Sequence, residues 1–390
     1  MKRTKSNRIF LVCYLAYTSI YIGRLNFSMA SPGLKEIFIL NQEQIGIIGS
    51  VFFVVYALGR IINGYLGDRV SPWTMMSTGL FVAGASNLVI GLLPPFIGIL
   101  LLWGSNAYAQ SMLWSSLTRT VSEIYEYQKA KKMMSYMISS VAVGNILAIL
   151  VCTGIINSAG LRFAFIVPGA ILLVFCLAVL LTVSRVKCKP VQATHLPMKE
   201  LAKDKRIHSV ALPTLFHGMI KDNISLWMTL FFMAQYSIDL EESAYFVLLI
   251  PVVGLVGRLA YPFLSRFYKE KEYRIASHAF MVCIGAALIL LCDVPPIVAM
   301  IALSLIYAAV SVVNGVFLSA FPLQFAVTGN QASVSGIMDF FNYFGAAIGS
   351  LVFGFITENL GYSSMFLTFA LVSLISVLII ERKIMVENFR

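Results

Sequence analysis

Apolar runs of about 20 residues recur along this chain, parted by short polar connections, and that rhythm governs what it can fold into. Of its 390 residues, 59% are hydrophobic and 12% are charged. A water-soluble domain could not cover itself with so little polar surface, so the chain reads as a multi-span membrane protein. Twelve helices are expected, as spans 1 to 12, at residues 9–30, 44–66, 74–93, 96–119, 133–156, 161–184, 208–235, 243–265, 275–292, 296–320, 331–357 and 361–381. Tight turns fall at Pro94–Pro95 and Pro295–Pro296. One long polar stretch, 185–207, separates an N-terminal six-helix bundle (1–184) from a C-terminal one (208–390). The expected fold is an all-α membrane protein of two pseudo-symmetric six-helix bundles.

The net charge of +11 has a sidedness. With these spans, 23 of the 29 Lys and Arg residues lie at the N-terminus, the C-terminus and the connections on that side. Only Lys35 and Arg162 lie on the other, and Arg24, Arg60, Lys221 and Arg258 lie within spans. The positive-inside rule puts both termini in the cytoplasm and the chain in the cell membrane. A nucleic-acid partner is excluded, because the basic residues do not share one face. The first span is too long for a removed signal peptide and lacks a small-residue cleavage site. Cys13, Cys152, Cys176, Cys188, Cys283 and Cys292 show no CxxC spacing and are expected to be reduced. There is no nucleotide loop, metal cluster or catalytic triad, so neither a cofactor nor an enzymatic activity is expected.

A repeat underlies the two halves. Val55–Leu66 (VYALGRIINGYL) matches Val253–Leu264 (VGLVGRLAYPFL) 198 residues on. Gly144–Gly160 resembles Gly345–Gly361, and Arg24 precedes Lys221 by 197 residues. Both copies start and end on the same side. They are therefore parallel repeats about an axis along the membrane normal, the arrangement of a rocking transporter with its site at midplane.

Charges inside the spans mark that site. Tyr14, Tyr17, Tyr21 and Arg24 share one face of span 1 at spacings of three, four and three. Tyr56 and Arg60 extend the pattern on span 2. Arg24, Arg60, Lys221 and Arg258 outweigh Asp222 and Asp339, which leaves a positive balance suited to a dianionic ester. Arg258 either joins the site or pairs with Asp222 or Asp339. Asp339 either carries a proton or is held by a neighbour.

These residues carry a resemblance. Gly64-Tyr65-Leu66-Gly67-Asp68-Arg69 fits the G-x-x-x-D-R loop of the major facilitator superfamily. The whole chain is similar to its organophosphate:inorganic-phosphate antiporters, the glycerol-3-phosphate and hexose-phosphate carriers. Tyr17, Tyr21 and Arg24 with Asn26-Phe27 match that family's first-helix signature. Tyr56 and Arg60 stand where it has Tyr and Lys, and Gln110, Trp114 and Arg119 match its fourth helix. Lys221, six residues before Trp227, stands for its second phosphate-binding arginine, and Tyr307 and Tyr343 match its tyrosines. The resemblance implies that Arg24 and Lys221 grip a phosphate from the two halves, and that Gly64, Asp68, Arg69 and Arg119 serve gating. The glycines of that loop would let span 2 approach a neighbour, Asp68 would face a helix N-terminus, and Arg69 would face a carboxylate such as Glu123. Departures are the Lys at 221, the Arg at 60, the absence of a histidine in span 5, and Arg258, Asp222 and Asp339. The reading is a monomeric carrier of a small phosphorylated anion in a lipid bilayer. A proton-coupled carboxylate symporter and a transporter-like sugar-phosphate sensor are the alternatives.

Overall fold

In the computed structural model, which describes residues 3–67, 70–186, 201, 203–268, 271–325 and 331–388, every regular element among them is helical. We label the long helices α1 (Arg3–Phe38), α2 (Gln42–Gly67), α3 (Pro72–Ile90), α4 (Phe96–Ser111), α5 (Leu113–Ile124), α6 (Tyr127–Ala159) and α7 (Phe163–Thr182). The rest are α8 (Lys205–Tyr236), α9 (Leu240–Phe267), α10 (Glu272–Ile289), α11 (Pro296–Asn314), α12 (Gln331–Asn359) and α13 (Gly361–Asn388). Among the described residues, ten helical segments are long and apolar enough to cross a membrane. Span 4 falls short because it is split into α4 and α5, each under 18 residues. Span 7, α8, carries Lys221, Asp222 and His217 along its middle.

Three departures from the expected spans have local causes. Helix α1 runs past residue 30 to Phe38, through Pro32. Proline leaves the Ser28 carbonyl without its helical donor, and the Ser31 hydroxyl donates to it instead at 2.8 Å. Span 4 breaks at Met112, whose N–H reaches back three residues to Ala109 at 3.2 Å. There the Ser111 hydroxyl donates to the Tyr108 carbonyl and receives Asn63 from α2 at 2.7 Å. Span 10 widens into a π-turn over Gly315–Ala320, where Gly315 lies against the Tyr261 ring.

The chain divides into two units, Met1–Leu40 with Val51–Gln192 and Asn41–Ser50 with Ala193–Arg390. The first turns of α2 thus belong with the second unit. Ser350 Oγ donates to the Gly46 carbonyl at 2.9 Å, and Gln42 N–H donates to Glu358 at 2.7 Å.

Each unit repeats the same close crossings. In the first, Gly144 of α6 lies on α1, where a Cβ would meet the Thr18 carbonyl at 2.7 Å. In the second, Gly345 of α12 lies on α8, where a Cβ would strike the Leu215 carbonyl. Gly59 of α2 packs on Ser111, and Gly257 of α9 packs on Ala308. Small residues permit such approach between helices in lipid, where no hydrophobic drive brings them together. Cys13, Cys152, Cys176 and Cys283 are buried and free, and Cys292 is exposed.

Candidate functional site

In the first unit the predicted face of α1 is built as a stack of rings that ends on a cation. Tyr14 hydrogen-bonds Ser139 of α6 at 3.0 Å. The Tyr17 ring lies 5.2 Å from Trp114 of α5 and meets Tyr21 edge-on at 5.5 Å. The Arg24 guanidinium follows, 5.9 Å from the Tyr21 ring. It also lies 4.7 Å from Tyr56, 4.9 Å from Phe52 and 6.0 Å from Phe53, all on α2. A guanidinium over aromatic faces gains about 0.5–2 kcal/mol per good contact. The rings turn the negative faces of their π-systems to the cation and carry no charge of their own.

The backbone beneath Arg24 is tied to three other helices. Asn87 of α3, Asn106 and Gln110 of α4 each donate an amide N–H to the Gly23 carbonyl, at 3.4, 3.2 and 3.2 Å. Asn26 donates to Asn87 at 2.7 Å and to the Ala164 carbonyl on α7 at 3.1 Å. All four amide residues are buried, and their network fixes the register of α1 one residue before its cation.

In the second unit Lys221 is held by its own neighbour. Its ammonium donates to Asp222 Oδ1 at 2.9 Å, and Asn342 of α12 donates to Asp222 Oδ2 at 3.2 Å. One turn earlier, His217 is buried with Nε2–H donating to the Val310 carbonyl at 2.9 Å. Asp222 therefore pairs with Lys221 rather than with Arg258. Arg258, partly buried on α9, forms no ion pair among the described residues.

The other expected site residues are spread along the helices. Arg60 is partly buried one turn after Tyr56. Tyr307 is buried with its ring against Gly254 of α9. Tyr343 and Asp339 are partly buried and one turn apart on α12. Arg119 donates to the Val70 carbonyl at 3.3 Å, which ties α5 to the connection after α2. Gly64 corrects the expectation of close approach: a Cβ there would meet no described atom within 4 Å, and Gly59 makes the contact instead. Asp68 and Arg69 lie outside the described residues.

The sequence reading missed Phe52, Phe53, Asn87, Asn106 and Asn342 as parts of these clusters. Phenylalanines in an apolar run look like packing, and only the helix pairing shows that they face Arg24. The asparagines carried a signal, since a buried amide in lipid must find partners.

Comparison with known proteins agrees with these features. The family model described as Major Facilitator Superfamily matches residues 13–349. A "Probable hexose phosphate transport protein" of Chlamydia muridarum is 32% identical over 168 residues, which are 43% of this chain and 37% of that protein. The alignment thus spans less than half of that relative's length. A "Glycerol-3-phosphate transporter" of Bacillus subtilis is 23% identical over 397 residues, covering 92% of this chain and 88% of the other. A solved bacterial homolog to the human lysosomal transporter Spinster superposes with a TM-score of 0.81 at 15% identity, covering 97% of both chains, and shares the fold. With all-helical units built on matching glycine crossings, and a family match over most of its length, the chain belongs to the major facilitator superfamily.

Proposed function

We propose that this protein is a secondary active transporter in the cell membrane. It moves a small phosphorylated organic anion by alternating access, in exchange for inorganic phosphate. The observation that carries the reading is one cation at the same place in each repeat, Arg24 on α1 and Lys221 on α8. Each lies at mid-helix, where an ionised group marks a substrate pathway more often than packing. The Tyr21 and Tyr56 rings lie 5.9 and 4.7 Å from the Arg24 guanidinium, and Tyr17 packs on Tyr21, so the cation sits among phenols, a residue type whose hydroxyl suits phosphoryl oxygens. The phosphate transporters named among the relatives support the same substrate class.

Exchange follows from electrostatics. A charged, empty site is costly to carry through a closed, dry intermediate, and a bound anion removes that cost. The loaded carrier should therefore reorient faster than the empty one. Counterflow in proteoliposomes tests this: internal phosphate should accelerate uptake of labelled phosphate. Uptake indifferent to the internal load would sink exchange. A thermal-shift screen against phosphate, sugar phosphates, glycerol phosphate and carboxylates addresses the substrate. A ligand at 100 times its dissociation constant adds about 2.7 kcal/mol of stability.

A further inference from the structure

The Lys221–Asp222 pair has an unusual geometry for a functional cation. Adjacent residues on a helix project about 100° apart, so the lysine stem must fold sideways to place its ammonium 2.9 Å from the carboxylate. The other carboxylate oxygen is held from α12 by Asn342 at 3.2 Å. The side chains are 9% and 16% exposed, so the pair is largely, but not fully, desolvated. It lies wholly within one helix and its neighbour in the second unit.

We infer that Asp222 is a built-in stand-in for the substrate anion at Lys221, and that an arriving anion must displace it. This rests on the proposed transport of a phosphate-bearing anion and adds two properties to it. The first is selectivity by charge. A monocarboxylate replacing Asp222 exchanges one carboxylate for another and leaves a second negative charge nearby, so it gains nothing. A phosphate dianion brings two charges and more acceptor oxygens, and it overcomes the resident group. The second concerns coupling. With Lys221 neutralised by Asp222, the empty carrier crosses its closed state with one fewer uncompensated cation. Empty return is then slow but measurable, and exchange is favoured without being obligatory.

Asp222→Asn keeps the shape and removes the charge. Two ratios are read in purified protein and proteoliposomes. The first is inhibition by acetate in the variant relative to wild type. With the resident carboxylate gone, the variant should bind acetate and inorganic phosphate each at least about tenfold more tightly. The second is net efflux into phosphate-free medium relative to phosphate exchange, which should fall about tenfold because the empty site now carries an uncompensated Lys221. A purely structural role for the pair would lower expression or stability and leave both ratios in place. Unchanged ratios in a folded variant overturn the inference. Wild-type protein gives a second test that needs no variant: if its net efflux is undetectable while exchange proceeds, Asp222 does not enable empty return and the inference fails. If wild type neither binds nor exchanges phosphate, the transport reading itself falls, and this inference with it.

Discussion

A guanidinium in the middle of a span is tolerated only where something replaces its water. For Arg24 that role falls to Phe52 and Tyr56, at 4.9 and 4.7 Å. Tyr56→Phe keeps the ring over Arg24 and should preserve its coupling to the cation in a double-mutant cycle with Arg24→Gln. Phe52→Leu removes a face, and in a double-mutant cycle with Arg24→Gln the two should couple by about 1 kcal/mol or more. Additive losses would show that the ring packs without serving the cation. The amides under Gly23 give a second outcome at this scale. Asn87→Leu removes one partner from each of Asn26, Asn106 and the Gly23 carbonyl, and a buried polar group left unsatisfied costs about 1–3 kcal/mol. A large fall in melting temperature is expected, with a larger fall in phosphate affinity than for a peripheral mutation of equal cost. Arg24, Tyr17 and Tyr21 were legible in the sequence because charge and phenols at helical spacing are rare in a span. The partners on α2 and α3 were not, because which apolar face of one helix meets another is settled by packing.

At the scale of elements, the repeat is recorded in contacts as well as letters. Leu215 lies 197 residues after Thr18, and Gly345 lies 201 after Gly144. Each pair marks one crossing, of α1 with α6 and of α8 with α12. Gly144→Ala and Gly345→Ala should each destabilise by about 1–3 kcal/mol as the helices are pushed apart, read as a loss of melting temperature. Gly64→Ala, facing open space among the described residues, should cost little. The start of α8 allows a pH test. Asp204 caps it, accepting from the Arg206 backbone N–H at 2.8 Å and pairing with the guanidinium at 2.7 Å. The Arg206 side-chain hydrogen bond holds the Asp204 carboxyl below its usual range. A carboxyl whose pKa is lower folded than unfolded stabilises fully above its unfolded value, about 3.9, and that share is lost as pH falls through the folded value. Asp204→Ala should cost about 1 kcal/mol at neutral pH. The gap from wild type should then shrink below about pH 4. Boundaries were the weaker part of the reading, since Pro32 and Met112 act through hydroxyl and three-residue-back hydrogen bonds that spacing does not reveal.

For the molecule as a whole, orientation is the property that depends on every connection at once. Applied to these connections, the positive-inside rule predicts the turn between α10 and α11 on the side opposite both termini. That turn carries Cys292, which is exposed, whereas Cys13, Cys152, Cys176 and Cys283 are buried in their helices. The middle stretch carries Cys188, which lies outside the described residues and is expected on the cytoplasmic side. A membrane-impermeant maleimide applied to intact cells should therefore label the protein through Cys292 alone. Cys292→Ser should abolish that signal, and permeabilising the cells should add labelling at Cys188. The four buried thiols should react only after denaturation, because the thiolate must reach solvent to attack. Labelling of Cys188 from outside, with Cys292 protected, would invert the topology. The net positive connections would then face away from the cytoplasm, against the positive-inside rule.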